Sequence, residues 1–368
     1  MTIMTNVPDA NVAPPRDLRG RARGDRVMSA IKLLADKYFR ILERHEYNPD
    51  HAGRNPDSAM TLTVTAREVV ALDENVAALT FAAPGGGDLP AWQPGCHLDF
   101  HLPSGRRRQY SLCGDPADRS RYRIAVRAIP GGGGGSVEMH GLRPGTTVTV
   151  RGPRNGFPFV GHGRALFVAG GIGITPILAM VRAARDAGMD WQFVYSGRSR
   201  ESMPFLDEIE SWDPARVFVR PDDEFGIPAA QDLLGRAPAG GAVYCCGPTP
   251  MLELVRTAFP DTPATALHFE RFGAPPVLDG TAFEVELAGS GEVLTVPADR
   301  SALDVIRERL PGVGYSCQQG FCGTCRVRVL GGTPEHRETR LSAAEQETEM
   351  LICVSRSAGD RLVLDLQT

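Results

Sequence analysis

The rhythm of apolar and polar positions changes several times along the chain. From Arg26 to Arg44, Val27, Ile31, Leu34, Tyr38, Ile41 and Leu42 recur at helical spacing, which predicts one N-terminal helix, packed on the body or else docking a partner. Residues 51–58 then read as a linker. From Met60 to about Phe159 the chain reads as short strands: Leu62–Val70, Ala77–Ala83, His97–Leu102, Arg108–Cys113, Tyr122–Ala128 and Thr146–Arg151. Gly, Pro and Asp turns separate them, the pattern of a small antiparallel barrel. Over residues 164–272 apolar strands, among them Ala165–Ala169, Trp191–Ser196 and Val243–Cys246, alternate with helical stretches. That alternation predicts a parallel α/β sheet. Gly273–Gly280 is a Pro/Gly linker, and residues 282–368 form a third compact unit.

Composition narrows the class. Charged residues make up 23% and apolar residues 42% of the 368 positions, as in a globular chain. The 41 glycines and 29 prolines fall in turn-like clusters, which suits many short strands rather than disorder. A formal net charge of −4 gives no global basic field for nucleic acid. No apolar run reaches the roughly 18 residues of a membrane span. The N-terminus lacks the apolar core of a secretory signal, so the cytoplasm is expected. Of eight cysteines, four crowd between Cys317 and Cys353. In that compartment such crowding points to metal rather than disulfides.

Cys317, Cys322 and Cys325 are spaced C-x4-C-x2-C, with Cys353 further on. This is the spacing of plant-type [2Fe–2S] ferredoxins. Two irons need four thiolates, and three come from one tight loop. Gly320 and Gly323 let that loop curl so that amides reach the sulfurs. Zinc sites pair C-x2-C with a second such pair or with histidines, and nothing here supplies that pairing. The run from Cys325 into Arg326–Leu330 predicts a strand leaving the loop.

Two glycine turns follow strands in the α/β region. Ala165–Ala169 runs into Gly170-Gly171-Ile172-Gly173-Ile174-Thr175-Pro176, ahead of a helix over Ile177–Ala187. Glycines admit a pyrophosphate close to the backbone, and a helix start supplies amides to it; Pro176 suits the first turn. This is not G-x-G-x-x-G, and alone it is equally a packing turn. Ala242–Cys246 ends at Gly247-Pro248, with Met251 in the helix beyond. Both turns would lie at the carboxyl edge of a doubly wound sheet, where ligands bind. Ser196 and Arg198 are candidates for the adenosine side, or else a solvated loop. Cys246 at a strand end is a site candidate or a small buried hydrophobe.

In the barrel, Arg108-Gln109-Tyr110-Ser111 places an arginine, an aromatic and a hydroxyl on one strand. They suit a phosphate, a ring and a ring nitrogen. Taken with the cysteine loop and the glycine turns, residues 60–368 resemble the phthalate dioxygenase reductase family of the ferredoxin–NADP reductase superfamily. The resemblance implies an FMN-binding β-barrel over 59–160, an NAD-binding α/β domain over 161–274 and a C-terminal β-grasp ferredoxin domain over 281–368, after an extension over 1–58. It implies flavin contacts from Arg108, Gln109, Tyr110, Ser111, Ala125, Val126, Arg127, Gly134, Gly135, Ser136, Thr175 and Phe272. The glycines of 131–135 are also readable as an ordinary loop. Nicotinamide contacts would come from Gly170, Gly171, Gly173, Ser196, Arg198, Cys246, Gly247, Pro248 and Met251. Ser111, Thr175 and Cys246 would surround the reacting centre, and Arg154–Phe157 would be the loop after the barrel. Cys317, Cys322, Cys325 and Cys353 would hold the cluster.

The implied activity is an NADH-dependent oxidoreductase, the reductase component of a multicomponent oxygenase. NADH gives two electrons as hydride, a cluster takes one at a time, and a flavin between them converts the two. The expected acceptor is a terminal oxygenase, a Rieske oxygenase or demethylase or else a haem monooxygenase, docking near Gln318–Phe321. No nucleic acid or membrane partner is expected, and the resemblance suggests a monomer. A stand-alone reductase would not need the ferredoxin domain. A redox sensor would not need two nucleotide sites.

Overall fold

The computed structural model describes residues 58–366 apart from 73–74, 131–133, 162, 276, 321 and 339. The expected helix over 26–44, the linker up to residue 57, the first three glycines of the 131–135 run and Phe321 lie outside the described residues.

The first sheet is antiparallel. It holds β1 (Met60–Ala71), β2 (Val76–Ala82), β3 (Cys96–His101), β4 (Arg107–Ser111), β5 (Tyr122–Arg127) and β6 (Thr147–Asn155), in the order β4-β3-β6-β1-β2-β5. Alternation drives it. Along β1, Met60, Leu62 and Val64 are buried while Thr61 and Thr65 face out. The two edges meet just past β4, where the Cys113 N–H donates to the Arg123 carbonyl at 2.9 Å. The ladder goes no further, so the sheet curls into an incompletely closed barrel. β6 runs on through Arg154 and Asn155, so half of the expected Arg154–Phe157 loop is strand. A short helix, α1 (Gly135–His140), crosses the barrel end.

The second sheet holds β7 (Arg164–Gly170), β8 (Asp190–Gly197), β9 (Val217–Pro221), β10 (Ala242–Cys246) and β11 (Ala266–Glu270), all parallel, in the order β11-β10-β7-β8-β9. β7 is buried from Ala165 to Gly170, as befits a central strand covered on both faces. The chain winds outward from β7 to β9 and then returns to β10 on the other side of β7. The switch point between β7 and β10 is where such sheets bind ligands. α2 (Ile174–Asp186) follows β7, and α3 (Thr249–Ala258) follows β10. α2 begins three residues before the expected Ile177, which puts Thr175 in its first turn.

The third sheet is mixed. β12 (Phe283–Leu287), β13 (Glu292–Val296), β14 (Arg326–Gly331), β16 (Glu349–Leu351) and β18 (Arg361–Asp365) lie in the order β13-β12-β18-β14-β16. β15 (Pro334–Glu335) and β17 (Arg356–Ser357) pair beside it. α4 (Ala302–Arg309) buries Ala302, Leu303, Val305 and Ile306 against the sheet, and the Ser301 hydroxyl caps it by accepting the Asp304 N–H at 3.1 Å. The connecting segment is held to this module. Arg337 donates to the Leu278 carbonyl at 2.7 Å, and the buried Arg356 donates to that of Thr281 at 2.9 Å. The three sheets pack as one unit.

Candidate functional site

A cavity of about 300 Å³ opens where the three sheets meet. β4 contributes Arg108, Gln109, Tyr110 and Ser111, and β5 contributes Ala125 and Arg127. Val126 alternates into the barrel core at 1% exposure, so its side chain is turned away. Ser136, Thr175 and Phe272 also line the space. The third module closes it with Tyr315, Ser316, Cys317, Gln318 and Gln319. Gln319 donates to the Arg271 carbonyl at 2.5 Å, so this half of the expected acceptor-docking loop faces inward.

The lining fits a ring with a polar edge. Gln109 Nε2, Glu270 Oε2, Arg271 Nη1 and Ser316 Oγ are each buried without a partner among the described residues. Buried polar groups are normally bonded, so four such atoms around one cavity call for a ligand that supplies partners. Gly134 and Gly135 lie beside the cavity rather than in its wall. A side chain on Gly135 would strike the Arg108 guanidinium at 2.5 Å, and one on Gly134 would touch that of Arg106 at 3.4 Å. Bare backbone next to two guanidiniums suits a phosphate. The Ser136 hydroxyl accepts the Ile129 N–H at 3.1 Å.

Among the wall residues not singled out from the sequence, two have shifted protonation, Glu270 and His97. Glu270 ends β11 and is hydrogen-bonded to Ser111. Burial pushes its carboxyl up to about 8, so it is protonated at neutral pH. His97, opposite Ser111 on β3, is pushed down to about 4 by burial and by the neighbouring Arg154, and is neutral. Arg154 pairs with Asp99. The segment Phe269–Phe272 carried the signal for Glu270, but only burial gives the carboxyl its state.

At the switch point the two glycine turns meet. Any side chain on Gly173 would overlap the Cys246 carbonyl, and one on Gly170 would touch Pro248 at 2.7 Å and Met251 at 2.9 Å. The Thr175 hydroxyl, 3% exposed, donates to the Ile172 carbonyl at 3.1 Å. Cys246 is fully buried and is not in the cavity wall; it lies beside Glu270 in the β10–β11 register. Burial first, then the Glu270 carboxyl, holds its thiol well above the usual range. Gly171 and Gly247 complete the two turns. Ser196 donates to Asp222 at 3.2 Å, a contact between the ends of β8 and β9 that sequence reading missed. The Arg198 carbonyl accepts the Asp223 N–H at 3.0 Å.

The four cysteines of the third module come together as two pairs, Cys317 with Cys322 and Cys325 with Cys353. A zinc site needs its ligands around one point. Two pairs of thiols suit two irons. The Gln319 N–H donates to Cys317 Sγ at 3.3 Å and the Thr324 N–H to Cys322 Sγ at 3.5 Å. Gly320 at φ 82° and Gly323 at φ 77° make the turns that aim these amides inward. Contact with Cys317 and hydrogen bonds with Thr324 lower the Cys322 thiol, while the same contact and burial raise Cys317.

Comparison with known proteins agrees with this geometry. A family model for an oxidoreductase FAD-binding domain matches residues 61–159, and one for a 2Fe-2S iron-sulfur cluster binding domain matches residues 285–358. The reductase subunit of a tert-butanol monooxygenase / tert-amyl alcohol desaturase from Aquincola tertiaricarbonis is 39% identical, over 87% of this chain and 100% of that one. Phthalate dioxygenase reductase from Burkholderia cepacia is 36% identical, over 84% of this chain and 98% of its own. The solved structure of a phthalate dioxygenase reductase, described as modular for electron transfer from pyridine nucleotides to [2Fe-2S], superposes with a TM-score of 0.63 at 35% identity, over 85% of this chain and 100% of that one. An intact type IV self-sufficient cytochrome monooxygenase gives a TM-score of 0.61 at 36% identity, with 87% of this chain matched to 45% of that longer one. No helix among the described residues is long and apolar enough to cross a membrane. Fold, thiol pairs and relatives together place the chain in the phthalate dioxygenase reductase family.

Proposed function

We propose that this chain oxidises NADH at the cavity of Arg108–Ser111, passes the electrons to the cluster of Cys317, Cys322, Cys325 and Cys353, and delivers them singly to a terminal oxygenase. One observation carries the reading: Cys317 and its neighbours form a wall of the cavity that the flavin strand also lines. A flavin bound there accepts the two electrons of a hydride and releases them one at a time. Module order, flavin first and ferredoxin last, supports FMN, as do two guanidiniums beside Gly134 and Gly135. The modules are taken as 59–160, 161–274 and 281–368.

The chain's own residues bind and orient. Arg108 and the Gly134–Ser136 turn hold the phosphate. Ser111, hydrogen-bonded to protonated Glu270, presents a polar pair to the ring edge, and the Thr175 hydroxyl fixes the start of α2 beside it. The turns at Gly170–Gly173 and Gly247–Pro248 leave space for the pyrophosphate. Asp222, held by Ser196, meets the ribose and disfavours a 2′-phosphate, which selects NADH. Shielding by Phe272 and Tyr315 keeps water from the reacting face. A Rieske oxygenase is the favoured acceptor; the likeness to a self-sufficient cytochrome monooxygenase supports a haem enzyme as the second. The protein is read as a monomer.

Anaerobic titration of the purified protein with NADH tests the reading. Flavin bleaching, a rhombic [2Fe–2S] signal by low-temperature EPR and FMN in the extract are expected. Bound zinc without flavin would overturn it.

A further inference from the structure

The chain is acidic overall, with a formal net charge of −4, yet one groove has the opposite sign. It lies between the β3–β4 hairpin and the ferredoxin sheet, with a volume of about 1360 Å³. Seven arginines and four carboxylates line it. Two of those carboxylates are engaged, Glu308 with Arg300 at 2.6 Å and Glu349 with Arg326. Among the described residues no carboxylate pairs with Arg107, Arg307 or Arg328, although Asp365 lies opposite Arg328 in the register of β18 and β14. These three cations come from β4, α4 and β14, so the uncompensated charge is spread over both walls. Arg107 and Arg328 are exposed.

The groove ends at the cluster. Thr324 and Cys325 lie in its lining, while Ser316–Gln319, on the other side of the same loop, face the flavin cavity. The loop therefore has one side on which electrons arrive and another that opens on a basic surface.

We propose that this groove is the docking surface of the electron acceptor, and that it receives an acidic, protruding segment of the terminal oxygenase. The inference rests on the electron-transfer function proposed above and names the chemistry of its partner. Arginines spread along two walls fit a run of carboxylates better than a single phosphate. A groove fits a loop or helix end better than a flat face. Transient redox complexes bury little area, so their rates depend on complementary charge.

The test uses the holoprotein and two one-electron haem probes of opposite charge, the acidic soluble domain of cytochrome b5 and basic cytochrome c. NADH-driven reduction of each is followed from low to high ionic strength, for wild type and for Arg107→Glu/Arg328→Glu. In wild type, cytochrome b5 reduction should fall steeply with salt. At low salt the double variant should reduce cytochrome b5 about tenfold more slowly or worse, as charge steering predicts, and cytochrome c no more slowly. NADH bleaching of the bound flavin should be unchanged. A cytochrome b5 rate indifferent to both salt and charge reversal would overturn the groove while leaving the electron-transfer function standing. Absence of flavin bleaching in wild type would sink that function and the docking inference with it.

Discussion

Arg108 of the flavin strand donates a 2.5 Å hydrogen bond to the Tyr315 hydroxyl, two residues before the first cluster ligand, and its guanidinium lies 4.4 Å from the centre of that ring. Arg307 stacks on the same ring at 3.8 Å. The residue assigned to the flavin phosphate is thus also a tie between the barrel and the ferredoxin module. Tyr315→Phe keeps the ring and removes the bond. Hydrogen bonds to charged groups are worth about 1.5–3 kcal/mol. Flavin-to-cluster transfer should therefore slow by about 10-fold or more, with NADH-to-flavin transfer unchanged, in anaerobic stopped-flow absorbance. Arg108→Ala should in addition weaken FMN retention, read by ultrafiltration. Equal flavin loss in both variants would show that Tyr315, not the phosphate, explains the arginine.

Glu270 makes stability depend on pH. Its carboxyl sits at about 8 in the fold against a usual 4.5. Between those values the folded state holds a proton that the unfolded state has lost. Stability is then full below about pH 4.5 and declines as pH rises toward 8, with nothing further lost above. The span corresponds to a few kcal/mol, about 1.4 per unit. Glu270→Gln should flatten this decline in denaturant titrations while keeping hydride transfer within about threefold at neutral pH, since glutamine mimics the neutral acid. An unchanged slope would mean that the carboxyl is charged in the fold.

How much of this was legible beforehand follows from sequence separation. Three of the cluster ligands share one loop, so the spacing of Cys317, Cys322 and Cys325 carries the chemistry locally, while Cys353 follows only after β16. Arg108–Ser111 and Gly170–Thr175 are likewise local, and the structure brings them to one cavity or one switch point. Tyr315 and Arg108 are 207 residues apart, and no local pattern announces their contact. Glu270 was passed over because an acid in Phe-Glu-Arg-Phe reads as surface until the cavity is seen to enclose its carboxyl. Cys246 was placed near the reacting centre by the resemblance of its Cys-Gly-Pro turn, and no local pattern showed that its thiol would be fully buried beside Glu270. Val126 shows the limit of reading by segment: its neighbours Ala125 and Arg127 line the cavity, and the pleat sends it to the other face.

Asp222 should set nucleotide preference. It accepts from Ser196 at the carboxyl ends of adjacent strands, where an adenosine ribose is expected. A 2′-phosphate there would meet a carboxylate. Asp222→Ala should raise kcat/KM for NADPH by about tenfold, or about 1.4 kcal/mol, slightly more than the roughly 1 kcal/mol between two unit charges 4 Å apart in bulk water. NADH should lose a few-fold through the missing ribose bond. Steady-state kinetics with both nucleotides read the ratio, and an unchanged ratio would move the adenosine site elsewhere.

Cys322→Ser tests the separation of the two redox centres. Cys322 is the partly exposed member of the cluster set, paired with Cys317 and bonded by Thr324. Serine keeps the size and the hydrogen bonds but offers a hydroxyl in place of a thiolate, and iron–sulfur clusters are held by thiolates. The cavity should be untouched, because its wall uses Cys317 and not Cys322. The variant should therefore lose the cluster absorbance and EPR signal and fail to reduce one-electron haem acceptors, while NADH still bleaches the flavin at close to the wild-type rate. Retention of the full cluster signal would remove Cys322 from the ligand set. Loss of flavin bleaching as well would mean that the cluster loop builds the flavin site, not merely borders it.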